Sequence, residues 1–237
     1  MAGSIRLFVD APLRPGAEIP ASAGQAHYLG TVMRCREGDR VRLFNGSDGE
    51  WEAHILDLGR RGARCVVERQ TLPQRDEPDL WLAFALLKRT ATDLVVQKAT
   101  ELGASALWPL LTARTNAERT NAARHQAIAV EAAEQSERLT VPALHPPRPL
   151  AALLEAWPTE RPLFAALERA IAPPIVSGAG RAVGLLIGPE GGFTGEELDL
   201  LRGQPFVVAA SLGPRILRAE TAAIVGLAPL QTKPICT

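Results

Sequence analysis

From residue 78 onward, short apolar runs alternate with stretches of helical period, and that alternation restricts the chain to an α/β architecture with a largely parallel sheet. The apolar runs cover residues 80–87, 104–111, 163–167, 182–187 and 206–210. They lack the polar alternation of a half-exposed strand, so each reads as a strand covered on both faces. Between them, residues 92–102 place Leu94, Val95, Ala99 and Leu102 at helical spacing, and Gly103 supplies the stop. Residues 121–139 read as a long helix ended by Val141-Pro142. Further helical patterns lie near 194–202 and 218–230, and residues 171–180 read as a loop.

The first 72 residues follow a different period. Residues 5–9 and 40–44 alternate apolar and polar side chains, and Asn45-Gly46-Ser47-Asp48-Gly49 is a turn leading into a run over 50–56. A further strand is expected over 63–67, and one short helix within 24–32. Short strands at this spacing predict a small barrel. Pro73-Gln74-Arg75-Asp76-Glu77-Pro78 is polar, charged and flanked by prolines, so it divides the chain into domains at 1–72 and 78–237.

Charge and composition remove several classes of function. The 26 basic residues balance the 26 acidic ones, so a polyanion would have to be met by a local patch. Cys35, Cys65 and Cys236 are odd in number and form no C-x-x-C, and His27, His54, His125 and His145 are scattered. Neither a disulfide framework nor a metal site is expected. No apolar stretch is long enough to cross a bilayer and no signal peptide is read, so a reduced cytoplasmic protein is expected.

The chemistry concentrates in two glycine-bearing loops. Residues 184–194 run from a buried strand through Gly188-Pro189-Glu190-Gly191-Gly192 into a helix, with Thr194 and Glu197 spaced as a capping box. The next strand ends in Ser211-Leu212-Gly213-Pro214-Arg215-Ile216-Leu217-Arg218, again before a helix. One strand–helix–strand unit separates the loops, so both open at the same edge of a parallel sheet, where ligands bind. Glycines alone suit a tight strand-to-helix turn as well as a ligand loop. Neither loop is a Rossmann or Walker motif, and both come late in the chain, which argues against dinucleotide and nucleoside triphosphate enzymes.

Residues 187–193 and 211–222 together resemble the RsmE family of S-adenosylmethionine-dependent methyltransferases, of the SPOUT class, which act on N3 of a uridine in 16S ribosomal RNA. Gln97-Lys98-Ala99-Thr100-Glu101-Leu102-Gly103, the segment 131–138 with Val141-Pro142, and residues 27–39 extend the likeness over nearly the whole chain. Glu137 departs from it, where a smaller residue is expected. The resemblance implies an N-terminal PUA-like β-barrel, a C-terminal SPOUT domain with a trefoil knot, and a homodimer. It implies a cofactor pocket built from Leu167 and Glu168, from Ile187, Gly188, Pro189, Gly191 and Gly192, and from Ser211, Leu212, Gly213, Arg215, Ile216, Leu217, Arg218 and Thr221. Backbone groups of Gly188, Leu212 and Leu217 would hold adenine and ribose, and Leu167, Ile187 and Ile216 would form apolar walls.

Uracil N3–H is a weak acid between two carbonyls, so methylation needs its proton removed. Arg218 is the candidate for holding the resulting negative charge, and Glu190 or Glu220 could accept the proton. Glu220 equally suits a helix first turn, where a carboxylate complements the dipole. RNA contacts are expected from His27, Arg34 and Arg36, beside Arg40 and Arg42, and from Lys88, Arg89, Arg114 and Arg138. Trp51, Trp81, Trp108 and Trp157 sit in apolar patterns and read as core. The apolar arc of residues 219–231, which includes Ile224 and Leu227, is broader than packing within one subunit needs.

Overall fold

In the computed structural model, residues 5–75, 77–115, 120–167, 172–175 and 182–231 are described. The chain divides into two compact units, residues 1–76 with 133–141, and residues 77–132 with 142–237.

In the first unit, period-2 patterns become β1 (Arg6–Phe8), β2 (Glu18–Ala21), β3 (Arg40–Phe44), β4 (Glu50–Gly59) and β5 (Gly62–Leu72). Their order is β1-β3-β4-β5-β2, with β1 parallel to β3 and the other pairs antiparallel. Each strand contributes one face to a single core: Leu7 from β1, Ile19 from β2, Leu43 from β3, Ile55 from β4 and Val67 from β5. Register shifts along the β4–β5 pair mark bulges, which bend a long hairpin around such a core. Between β2 and β3 lies α1 (Ala23–His27), capped by a Ser22–Gln25 capping box and continued by one π-helical turn, Tyr28–Val32. β2 has no counterpart in the sequence reading, because Pro20 interrupts it; as an edge strand paired with β5 alone, it tolerates that proline.

The unexpected member of this unit is segment 133–141, placed by sequence in the continuous domain 78–237. Arg6, 7 % exposed, explains its inclusion. Its guanidinium donates to Glu50 at 2.7 Å, to the carbonyls of Ala133 and Glu134 at 3.1 Å each, and to that of Arg138 at 2.8 Å. It also lies over the Phe44 ring. The segment's chain reversal fits a Schellman motif: Arg138 N–H donates to the Ala133 carbonyl, and Glu137 adopts φ 59°. Short residues tolerate that left-handed conformation best, which accounts for the smaller residue expected at 137.

In the second unit the order is β6 (Leu80–Ala85), α2 (Arg89–Glu101), β7 (Ala106–Leu111), α3 (Ala122–Gln135), β8 (Ala143–Leu144), β9 (Arg148–Pro149), α4 (Leu150–Glu155), β10 (Leu163–Ala166), β11 (Val183–Ile187), α5 (Gly195–Arg202), β12 (Val207–Ala210) and α6 (Ala219–Gln231). The strands run in the order β12-β10-β11-β6-β7-β8, with β9 also on β7, and every pair is parallel. All five β11 residues are buried, as its unbroken apolar run requires. Leu186 joins a core with Leu153 and Leu154 of α4 and Leu201 of α5. Leu185 meets α6, approaching Gly226 so closely that a methyl group there would clash. Successive side chains thus face opposite helical layers. Trp157 is buried, and Trp81 and Trp108 pack against the same core while Trp51 packs against that of the first unit. Leu227, expected to serve a subunit interface, is 0 % exposed within its own chain.

Candidate functional site

Parallel strands bring their following loops to one edge, and here the loops after β10, β11 and β12 enclose a cavity of about 850 Å³. After β11, the Gly192 N–H donates to the Pro189 carbonyl at 2.8 Å, closing a turn in which Gly192 takes φ 71°. Thr194 then caps α5: its hydroxyl accepts from Glu197 N–H, and the Glu197 carboxylate accepts from Thr194 N–H at 2.9 Å. After β12, Ser211 is fixed by its own N–H donating to the Pro173 carbonyl and its carbonyl accepting from Ile175 N–H. Gly213 follows at φ 110°, a conformation only glycine adopts readily.

The cavity is lined by Leu167, Ile187, Gly188, Pro189, Glu190, Gly191 and Gly192. Ser211, Leu212, Gly213, Arg215, Ile216 and Leu217 complete that wall. Ile216 keeps 67 % of its surface open. An apolar side chain so exposed on a cavity wall is what a partly apolar ligand would cover. Backbone groups of two glycine-bearing loops supply polar anchors beside it. Glu168 lies outside the described residues.

Arg218, Glu220 and Thr221 do not line the cavity; they sit just beyond it, where α6 begins. The Arg218 carbonyl accepts the Ala222 N–H at 2.8 Å, and its exposed side chain forms no ion pair among the described residues, neither with Glu190 nor with Glu220. Glu220 occupies the first turn of α6. Its Oε2 is buried and meets no hydrogen-bond donor.

Two arginines change place relative to expectation. Arg114 does not join a basic surface with Arg138; it lines the cavity, and its guanidinium donates to the Gly191 carbonyl. The signal was available, since β7 is parallel to its neighbours and its following loop must open at the same edge. Arg138 is not a surface residue: it is 7 % exposed, donates to Thr140 at 3.1 Å, and belongs to the segment held by Arg6. Phe193, which the sequence reading gave no role at the site, packs its ring against Gly188 and lines the cavity too.

The remaining basic candidates are exposed. His27, Arg34 and Arg36 follow one another around the π-helical turn, with Arg34 at φ 58° and Val32 60 % exposed beside them. Arg42 is committed instead to Glu50, at 2.6 Å. Lys88 is exposed at the N-cap of α2.

Comparison with known proteins agrees with this geometry. A family model described as an RNA methyltransferase domain matches residues 75–231, and one described as an RNA methyltransferase PUA domain matches residues 22–68. Ribosomal RNA small subunit methyltransferase E of Rickettsia conorii is 34 % identical over 231 residues, covering 95 % of this chain and 94 % of that one. A Legionella pneumophila methyltransferase solved with bound S-adenosylmethionine superposes with TM-score 0.86 at 30 % identity, covering 96 % of each chain. Ribosomal RNA small subunit methyltransferase E of Neisseria gonorrhoeae, also bound to S-adenosylmethionine, superposes with TM-score 0.83 at 26 % identity, over 95 % of this chain and 96 % of that one.

Proposed function

The chain belongs to the ribosomal RNA small subunit methyltransferase E family, and we propose that it transfers a methyl group from S-adenosylmethionine to N3 of a uridine in 16S ribosomal RNA. The observation that carries this reading is the cavity of about 850 Å³ between the loops after β10, β11 and β12. The residues present fit the cofactor. Ile187, Ile216 and Leu167 offer apolar walls for an adenine, and the Gly188, Leu212 and Leu217 backbones offer donors and acceptors for adenine and ribose. Once bound, the cofactor supplies an electrophilic methyl group.

The chain's own residues must then position the uracil and take its proton. In-line transfer rewards positioning, which the two rigid loops provide. Arg218, exposed beside the cavity and without an ion pair among the described residues, is free to hold the negative charge developing on a uracil oxygen. It is no base, because its proton is held too strongly. Glu190, on the cavity wall, and Glu220, in the first turn of α6 just beyond it, are the two candidate acceptors among the loop residues.

Supporting the knotted SPOUT topology is the strand order, in which β12 lies outside β10 and β10 returns beside β11. A homodimer fits the outer face of α6, where Val225 is 39 % exposed, near α2, whose Leu94 is 36 % exposed. No helix among the described residues is long and apolar enough to cross a membrane, and ribosomal RNA as the proposed substrate supports a reaction in the cytoplasm. The test is incubation of 30S subunits or naked 16S rRNA from a deletion strain with the protein and labelled cofactor, followed by nucleoside mass spectrometry. 3-Methyluridine is the expected product; label in a ribose 2′-O-methyl group or another base would overturn the assignment.

A further inference from the structure

We propose that Arg114, carried by the loop after β7, binds the carboxylate of the amino-acid moiety of S-adenosylmethionine, giving the cofactor cavity a charged end beside its apolar walls. The proposal rests on the reading that this cavity holds the cofactor, and adds what grips its one anionic group.

Arg114 is presented by a turn that is fixed by the protein alone. Thr115 N–H donates to the Thr112 carbonyl at 3.1 Å, and Thr115 Oγ1 accepts from Thr112 N–H at 2.9 Å. The two threonine hydroxyls share a further bond at 2.8 Å. Between them, Ala113 N–H donates to Glu197 Oε1 at 2.8 Å. The side chain is anchored at its far end too, where Nη1 donates to the Gly191 carbonyl. Its stem lies across Gly191: an added Cβ there would stand 3.2 Å from Arg114 Cδ. Gly191 takes no positive φ, so its missing side chain makes room for this arm rather than relieving the backbone.

The arm is held but not satisfied. A guanidinium has five N–H donors, and the Gly191 carbonyl is the acceptor that Arg114 meets among the described residues. It forms no ion pair among them, even with Glu190 on the same cavity lining. Its charge and its remaining donors are therefore available to a ligand. A planar fork of this kind matches a carboxylate with two parallel hydrogen bonds.

Position assigns the anion. In the sheet order β12-β10-β11-β6-β7, the loops after β12, β10 and β11 supply the walls and backbone groups assigned to adenine and ribose, and Arg114 enters the cavity from the β7 side. The cofactor carries two cationic groups, sulfonium and ammonium, and a single carboxylate that needs a cation on the wall. Arg215 is the other cation of the lining, but it sits on the loop after β12, and no hydrogen bond fixes its side chain among the described residues. A guanidinium already held in place gives up less conformational freedom on binding.

The test is calorimetric titration with S-adenosylhomocysteine and with its decarboxylated form, which lacks only the carboxylate. Wild-type protein should prefer the first ligand. Arg114→Ala should weaken S-adenosylhomocysteine by about 10- to 100-fold, the range for one lost charge-assisted pair, and leave the decarboxylated ligand within about twofold of wild type. That second affinity also reports a correctly folded pocket. Arg114→Lys restores the charge without the fork and should recover part of the loss. Equal losses for both ligands would overturn the proposal, leaving Arg114 as a support of the Gly191 turn alone. So would unchanged affinity for both; a raised KM for rRNA in that case would place the guanidinium on the RNA. Wild-type protein that binds neither ligand would sink the cofactor reading itself, whereas binding of both without a selective loss in Arg114→Ala sinks only the carboxylate contact.

Discussion

Glu197 accepts the backbone N–H of Ala113 on one carboxylate oxygen at 2.8 Å while its other oxygen accepts that of Thr194 at 2.9 Å. One side chain, 9 % exposed, therefore caps α5 and anchors the loop after β7. The residue after Ala113 is Arg114, which donates to the Gly191 carbonyl. The loop after β7 and the glycine turn after β11 are thus tied into one wall of the cofactor cavity, by bonds that reach across the sheet rather than along the chain.

This arrangement makes Glu197 a support for the cofactor site. Glu197→Ala should cost roughly 2–4 kcal/mol, since it leaves two backbone donors without a charged acceptor. It should also weaken S-adenosylmethionine binding, because Arg114 and Gly191 lose their reference. Glu197→Gln retains one acceptor and should cost about half as much. Denaturant titration and calorimetric titration check the two effects. Loss of stability with undiminished cofactor affinity would show that the wall does not depend on this carboxylate.

The glycine loops give a sharper test. A Cβ on Gly188 would lie 2.8 Å from the Phe193 ring, so Gly188→Val must displace Phe193 from its place on the cavity wall. Gly213 has open space around it but sits at φ 110°, so Gly213→Val is opposed by the backbone, at a cost of about 1–3 kcal/mol. Both variants should fold and lose at least tenfold in cofactor affinity by calorimetry. Normal affinity in both would remove the proposed pocket.

What the sequence reveals is what local chemistry determines. Thr194 and Glu197 lie three residues apart, so their capping box is legible, as are the two glycine loops that follow apolar runs. Arg114 and Arg138 are not, because their partners are remote. Gly191 is 77 residues from Arg114, and Arg6 is 132 residues from Arg138. An arginine in a list of residues looks like free charge until the fold brings carbonyls to it. Leu227 misleads in the same way: a broad apolar arc predicts a partner, and β6, β11 and α2 of the same chain supply part of it. α4 escapes notice because it is six residues long, although Leu150, Leu153, Leu154 and Trp157 recur at helical spacing.

Arg218 separates catalysis from cofactor binding. It lies off the cavity wall and carries no ion pair among the described residues, so its removal should leave the pocket intact. Arg218→Ala should lower single-turnover methyl transfer by about 10²–10³-fold, the scale of one lost donor to developing charge. Cofactor affinity should stay within about twofold of wild type, a change under 0.5 kcal/mol. Collapse of cofactor binding with normal turnover at saturation would reverse the assignment.

The first unit carries an acid-sensitive element in Glu50, whose side chain is 3 % exposed. Burial pushes its carboxyl upward, but hydrogen bonds from Arg42, Thr71 and Arg6, together with the Arg6 charge, outweigh burial and hold it below the usual carboxylate value. A carboxyl depressed in the folded state is protonated first in the unfolded one. Its stabilisation is therefore complete above the ordinary carboxylate pKa and is lost as pH falls through the depressed value. Glu50→Gln should cost about 3–5 kcal/mol at neutral pH, because Arg6 is left buried without its counter-charge. The same variant should flatten the acid limb of stability measured by hydrogen exchange of β3, β4 and β5 amides. An acid limb as steep in Glu50→Gln as in wild type would place the sensitivity elsewhere.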